Sequence, residues 1–274
     1  MDILVLQRIK TILKENKNMK KLVILASLVF VNYLFANTKE DCIKKGDGFM
    51  YVQNECIAYK KFNGEGDSLN IIIHGTCDEG SDTLARYSPF AEDLTMMSDV
   101  STIAVALPGY SKSSSNKLLP LGNKEVKNLA ATKEYIEFLE NLVESLKAKY
   151  SAKKITLIAH SAGCMMSATL LGVKPDLVDN LVCVGGVYDI HKKSNDKKLI
   201  SAVDVVDKIS KKAKIVLIYG TADEISTPQT TIDFYNLAKQ KGLDVKLVEV
   251  KDGVHIDLDM TTQSKDSIIE LIEE

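Results

Sequence analysis

Six short runs rich in β-branched and aliphatic residues, at positions 70–73, 102–107, 155–159, 181–184, 215–219 and 245–250, are separated by longer stretches with apolar residues at helical spacing. This alternation constrains the fold more than any other feature of the chain, because strands that each wait for a helix before the next strand pair in parallel. A strand covered by helices on both faces must be apolar on both, and the first five runs show no polar alternation. The sixth, Val245 to Val250, alternates as an edge strand does. Between the runs, residues 125–150 place Leu129, Ile136, Leu139, Val143 and Leu146 along one helical face, and residues 230–241 and 257–272 read as further helices. Residues 48–62 alternate polar and apolar side chains, which predicts an antiparallel flap beside the parallel part. The expected class is α/β, with a mostly parallel central sheet and helices on both faces.

A length of 274 residues with 45% hydrophobic content suits one such domain. No internal repeat or proline- or glycine-rich linker divides it. The first 36 residues stand apart: Lys20 and Lys21 precede an apolar run from Leu22 to Phe35 that closes on Ala36, the arrangement of a secretory signal peptide. That run is short for a membrane span. Met19 is the expected start, residues 1–36 the extension and signal peptide, and residues 37–274 the folded domain. Localisation is then periplasmic or secreted, with no stable membrane span once the signal is removed.

The segment 1–36 carries six Lys/Arg and two Asp/Glu, so without it the net charge of −2 becomes −6. An acidic body with no basic stripe excludes nucleic acid as a partner and disfavours polyanionic substrates, leaving small neutral or apolar molecules. Five cysteines in an exported chain leave one unpaired. Cys42 and Cys56 bracket a turn and the first strand-like run, and they are the candidate disulfide. Cys164 and Cys183 fall in apolar segments as small hydrophobes, and Cys77 is left over.

Chemistry gathers where strands end. Ala159-His160-Ser161-Ala162-Gly163 joins an apolar run to the helix-like stretch 164–171. A tight strand-to-helix turn exposes a serine hydroxyl, and it needs small residues two before and two after, here Ala159 and Gly163. Capping the helix is the ordinary role of such a serine. Its company argues for more. Asp223 ends the run 218–223 in a turn, where a carboxylate can orient an imidazole, with Glu224 and Asp189 as substitutes. Of the four histidines, two follow Ser161. His191 lies in a charged, solvated loop, while His255 lies in a loop after the last strand, placed to act as a base. The backbone N–H groups of Ala162 and Thr76 are the candidate oxyanion donors, Thr76 coming from the His74-Gly75-Thr76-Cys77 loop after an earlier strand. His74 reads as a brace for that loop, and His160 is expected to point away from the hydroxyl. Met165 and Met166 are expected to pack beneath the turn. No His/Cys/Asp cluster has metal-ligand spacing, and neither a metal nor a cofactor is expected.

From about Leu69 onward, these landmarks resemble the α/β-hydrolase superfamily: the His74-Gly75 loop, Leu107-Pro108-Gly109-Tyr110-Ser111, the Ser161 elbow, Gly220-Thr221-Ala222-Asp223 and Gly253-Val254-His255. The elbow and Gly186-Val187-Tyr188-Asp189 also look like the small carboxylesterase and aryl-formamidase branches, although His74-Gly75-Thr76 stands where many such esterases have a glycine-rich loop. The order Ser, Asp, His matches the family's triad. The resemblance implies a serine hydrolase acting through an acyl-enzyme on an ester or thioester. Because only residues 189–213 are available for a cap, it also implies a minimal lid and a small to medium acyl group. A peptidase or amidase of the same fold, and a non-catalytic envelope binding protein on the hydrolase scaffold, are the alternatives.

Overall fold

Side chains alternate in their destinations along every central strand, and this builds two cores at once. Ile71, Ile73, Ile155, Leu157, Leu181, Cys183, Ile215 and Leu217 enter one core. Their neighbours Ile72, Ile158, Val182, Val184, Val216 and Ile218 enter the other. In the computed structural model, residues 39–274 are described. The eight strands are β1 (Phe49–Val52), β2 (Glu55–Phe62), β3 (Glu65–Ile73), β4 (Val100–Val105), β5 (Lys154–His160), β6 (Asn180–Val184), β7 (Lys214–Gly220) and β8 (Asp244–Val250). They form one sheet in the order β1-β2-β4-β3-β5-β6-β7-β8. From β4 to β8 all pairings are parallel, and β2 joins β4 antiparallel. The five unalternating runs are interior strands, and the alternating last run is an edge.

Among the described residues five helices of more than ten residues cover the sheet: α1 (Thr83–Ser98), α2 (Lys133–Lys149), α3 (Ala162–Val173), α4 (Pro228–Gln240) and α5 (Thr262–Glu273). Helices α2, α3 and α4 bury Phe138, Leu142, Met166 and Phe234 in the first core. Helices α1 and α5 bury Tyr87, Phe90, Leu94, Ile268 and Leu271 in the second. The molecule divides into two units, Met1–Gly46 and Asp47–Glu274. The signal-peptide expectation at residues 1–36 lies outside the described residues. Cys42 and Cys56 are disulfide-bonded, and Cys77, Cys164 and Cys183 are free thiols. Among the described residues no helix is long and apolar enough to cross a membrane.

The helix expected over 125–150 begins only at Lys133, and this is a correction with a local cause. Thr132 caps the helix by accepting from the Tyr135 N–H, and Asn128 adopts a left-handed backbone before a single 3-10 turn at Leu129–Ala131. Asn123 Oδ1 meanwhile accepts from the N–H groups of Glu125 and Val126, an alternative to helix that asparagine commonly offers. Likewise α5 starts at Thr262, with Thr261 as its cap, after a 3-10 turn at Leu258–Met260. Pro228 at the first turn opens α4 two residues earlier than the expected start at 230.

What replaces the missing turns is a long excursion between β4 and α2, fixed from outside the parallel sheet. Glu55, at the start of β2, is fully buried. Its carboxylate accepts from the Ser114 hydroxyl and from the N–H groups of Asn116, Lys117 and Leu118, all at 2.9 Å or less. Further along, the Tyr135 hydroxyl donates to the Leu119 carbonyl, and Tyr110 donates to the Cys77 carbonyl while accepting from Gly122 N–H. Glu55→Gln presents a donor to backbone donors. It is expected to cost about 2–3 kcal/mol, seen as a lower urea midpoint at unchanged slope.

Candidate active site

The strands β5, β6, β7 and β8 all end on one edge, where their following loops meet. Ser161 follows β5 directly, with φ 54° and ψ −119°, a conformation that a non-glycine residue holds only when its surroundings force it. Its N–H donates to the Val184 carbonyl at the end of β6. Gly163, two residues on, permits the turn: a Cβ there would stand 2.3 Å from the Ile73 carbonyl oxygen. The side chain makes no capping bond to α3, so the ordinary cap role is not taken.

The hydroxyl instead meets the loop that follows β8. His255 Nε2 lies 2.9 Å from Ser161 Oγ, and His255 Nδ1 lies 2.7 Å from Asp223 Oδ2. Because a carboxylate only accepts, Nδ1 carries the proton and Nε2 is left to accept from the serine hydroxyl. Asp223 is buried, and its other oxygen accepts from the N–H groups of Ile225 and Ser226, which fixes the carboxylate. The two loops are also stitched by backbone: Thr221 N–H donates to Val250 and Ala222 N–H to Gly253. Of the substitutes, Glu224 is exposed, and Asp189 accepts from His191 N–H in a 3-10 turn. The exposed His191 ring bonds to Asp204.

Gly185 is a residue the sequence did not single out. Its φ is +58°, and a Cβ there would approach Asp223 Oδ2 at 3.1 Å and His255 Nδ1 at 3.2 Å. Only glycine lets β6 end this close to the pair. The Gly185-Gly186 doublet after a strand was the available signal. His160 also lies nearer than its place beside Ser161 suggests: its ring packs on His255 with centroids 4.8 Å apart.

A cavity of about 460 Å³ opens on the Ser161 hydroxyl, with Thr76, Ala162 and His255 in its lining. Its walls are mainly apolar. Leu121, Leu129, Ala130 and Ala131 come from the β4–α2 excursion, Val187 and Ile190 from the β6–β7 connection, and Ile225 from the turn after Asp223. Met165 lines it too, a correction to the expectation of packing alone, while Met166 is wholly in the core. The wall at 129–131 was hidden by the helical spacing of that stretch. Among the described residues no group of three or more His, Cys, Asp or Glu side chains is placed to hold a metal ion.

His74 braces the loop after β3. Its Nε2 accepts from Leu107 N–H at 3.0 Å and its Nδ1 donates to the Gly75 carbonyl at 2.8 Å. Burial lowers its pKa to about 4, against the Gly75 bond that raises it and with His160 lowering it further. His160 is lowered as well, chiefly by burial.

Residues 71–209, just over half of the chain, match the family described as alpha/beta hydrolase fold, and the chain belongs to that family. Over 78 residues it is 37% identical to a triacylglycerol lipase of Vibrio cholerae; the match covers 28% of this chain and 24% of the lipase. The chain thus spans about a quarter of that relative's length. Among solved structures, it resembles an esterase of Pyrococcus furiosus with a TM-score of 0.64 at 17% identity, over 83% of this chain and 91% of the esterase. A monoacylglycerol lipase of Paleococcus ferrophilus gives 0.58 at 16%, over 79% and 98%. At such identities the likeness is one of fold.

Neutral burial of His74 has a consequence for stability. Its folded pKa lies below the ordinary 6.5, so the unfolded chain binds the proton first and stability falls as pH drops from about 6.5 towards 4. One such group contributes a slope of about 1.4 kcal/mol per pH unit in that window. Urea unfolding between pH 4 and 7 should show this slope reduced by about one proton's worth in His74→Gln.

Proposed function

We propose that the protein is a serine hydrolase cleaving carboxylic esters or thioesters of a small to medium acyl group. The observation that carries this reading is the unbroken chain of contacts from Asp223 through His255 to Ser161 on a strained elbow. Ser161 Oγ attacks the acyl carbon as its proton passes to His255 Nε2. The proton then returns to the leaving alcohol or thiol, whose bond to the carbonyl breaks, leaving an acyl-enzyme that water cleaves by the same path. Asp223 holds the imidazole in the required tautomer and stabilises its cation.

The negative oxygen of the tetrahedral intermediate needs donors already in place. Ala162 heads α3, where the first N–H groups have no partner within the helix. The loop of Thr76 presses against the same point, since a Cβ on Gly75 would stand 3.3 Å from the Ala162 nitrogen. These facts support Ala162 and Thr76 as the oxyanion pair. A mainly apolar cavity of about 460 Å³ favours a modest acyl chain, and the β6–β7 connection holds only short helical turns at Ile190–Lys192, Ala202–Val205 and Val206–Lys208, too little for a separate cap domain. Disulfide-bonded Cys42 and Cys56 support an exported protein.

Fluorophosphonate labelling of the folded chain, followed by turnover of short p-nitrophenyl esters against aminoacyl amides, tests the reading. Ser161→Ala and His255→Ala are each expected to lower ester turnover by roughly four to six orders of magnitude. A loss below tenfold, or no adduct on Ser161, would refute it. Faster turnover of the amides would replace it with the peptidase.

A further inference from the structure

We infer that His160 is a positioning residue for the His255 imidazole, holding it from behind through one hydrogen bond and one ring contact. The inference rests on reading His255 as the general base. His160 Nε2 lies 3.0 Å from the backbone carbonyl oxygen of His255, 95 residues away in the chain. A carbonyl can only accept, so Nε2–H is the donor and the tautomer is fixed. The His160 ring also lies against the His255 ring, with centroids 4.8 Å apart and planes tilted by 39°. Gly185 abuts the Nδ1–Cε1 edge of the same imidazole. The base is therefore held by Asp223 at Nδ1, by Gly185 along one edge and by His160 against its ring and its own carbonyl.

The loop carrying His255 is tied before that residue by Ala222 N–H to the Gly253 carbonyl and by Asp252 N–H to Thr221 Oγ1, but no such bond among the described residues holds its immediate neighbours. Val254 and Ile256, on either side, are exposed, and the nearest side-chain tether, Arg86 to Asp257 at 2.6 Å, is itself open to solvent. The His160 bond is buried. Proton transfer falls steeply with misplacement of the base, so a restraint on the backbone of residue 255 acts on the rate without touching substrate.

Neutrality of His160 matters to this role, because a second cation beside the His255 imidazolium would oppose its formation. Burial lowers the His160 pKa, and the groups acting on it come from every side: Asp259 from the 3-10 turn raises it, His255 and Arg86 lower it, and the bond to the His255 carbonyl raises it. His74 is a further neighbour, felt through space. Asp259 is itself buried, with Oδ1 lacking a hydrogen-bond partner among the described residues.

The test compares His160→Phe, which keeps a ring without the donor, with His160→Gln, which returns an N–H near the place of Nε2. Both are made in the full chain and checked by urea unfolding. In His160→Phe, kcat and the fluorophosphonate labelling rate should fall about 10- to 100-fold, with KM within about twofold; His160→Gln should recover most of the loss. The downfield Nδ1–H proton resonance of His255 should broaden or shift in His160→Phe and return in His160→Gln. A folded His160→Phe with kcat within threefold of wild type, or a loss that only follows the unfolded fraction, overturns the inference. If the wild-type chain itself neither labels nor turns over, the hydrolase reading fails. The His255 resonance then decides whether His160 still positions that ring: an unchanged resonance in His160→Phe overturns the proposal, and a perturbed one supports it.

Discussion

The strained backbone at Ser161 is the constraint on which the rest of the site depends. A turn of this kind costs of order 1–3 kcal/mol and persists only where its neighbours leave no alternative. Here the alternatives are closed by the hydrogen bond from Ser161 N–H to Val184 and by the Ile73 and His74 carbonyls, which occupy the space a side chain at position 163 would need. The apolar runs on either side supply the rigidity: β5 lies between β3 and β6 deep in the sheet, and α3 is buried over nearly its whole length. The same parallel arrangement delivers Asp223 and His255 to the same edge, so a packing pattern spread over the sheet becomes a local geometry.

Much of this was legible in the residues themselves. Runs without alternation can be satisfied only between two helical layers, and β3, β5, β6 and β7 are so placed; β8, which alternates, lies at the edge. Ser161 and Asp223 follow unalternating runs and His255 follows the alternating last run, each within a few positions, so their convergence could be read from strand ends alone. The family resemblance added the order of the three, and the match over residues 71–209 bears out the family.

What escaped was set by contacts rather than by pattern. Leu129 sits at helical spacing with Ile136, yet the left-handed Asn128 and the capping Thr132 interrupt the helix between them. Spacing cannot report such a break, although two asparagines and a threonine in ten residues could have hinted at it. The contact of His160 with His255 has no local signature, because it joins residues 95 positions apart. Gly185 carried a weak signal in its doublet, but its closeness to Asp223 and His255 depends on how far β6 runs before it turns.

Glu55 ties a segment outside the family match to the cavity that opens on Ser161. It lies upstream of the stretch that matches the family, in a two-stranded hairpin added to the sheet. Yet its carboxylate pins the start of the excursion whose far end walls the cavity beside Ser161. The Ser161 elbow and one wall of the cavity beside it are thus held by different segments. A change in the hairpin can therefore reach the cavity wall through Glu55 without passing through the elbow.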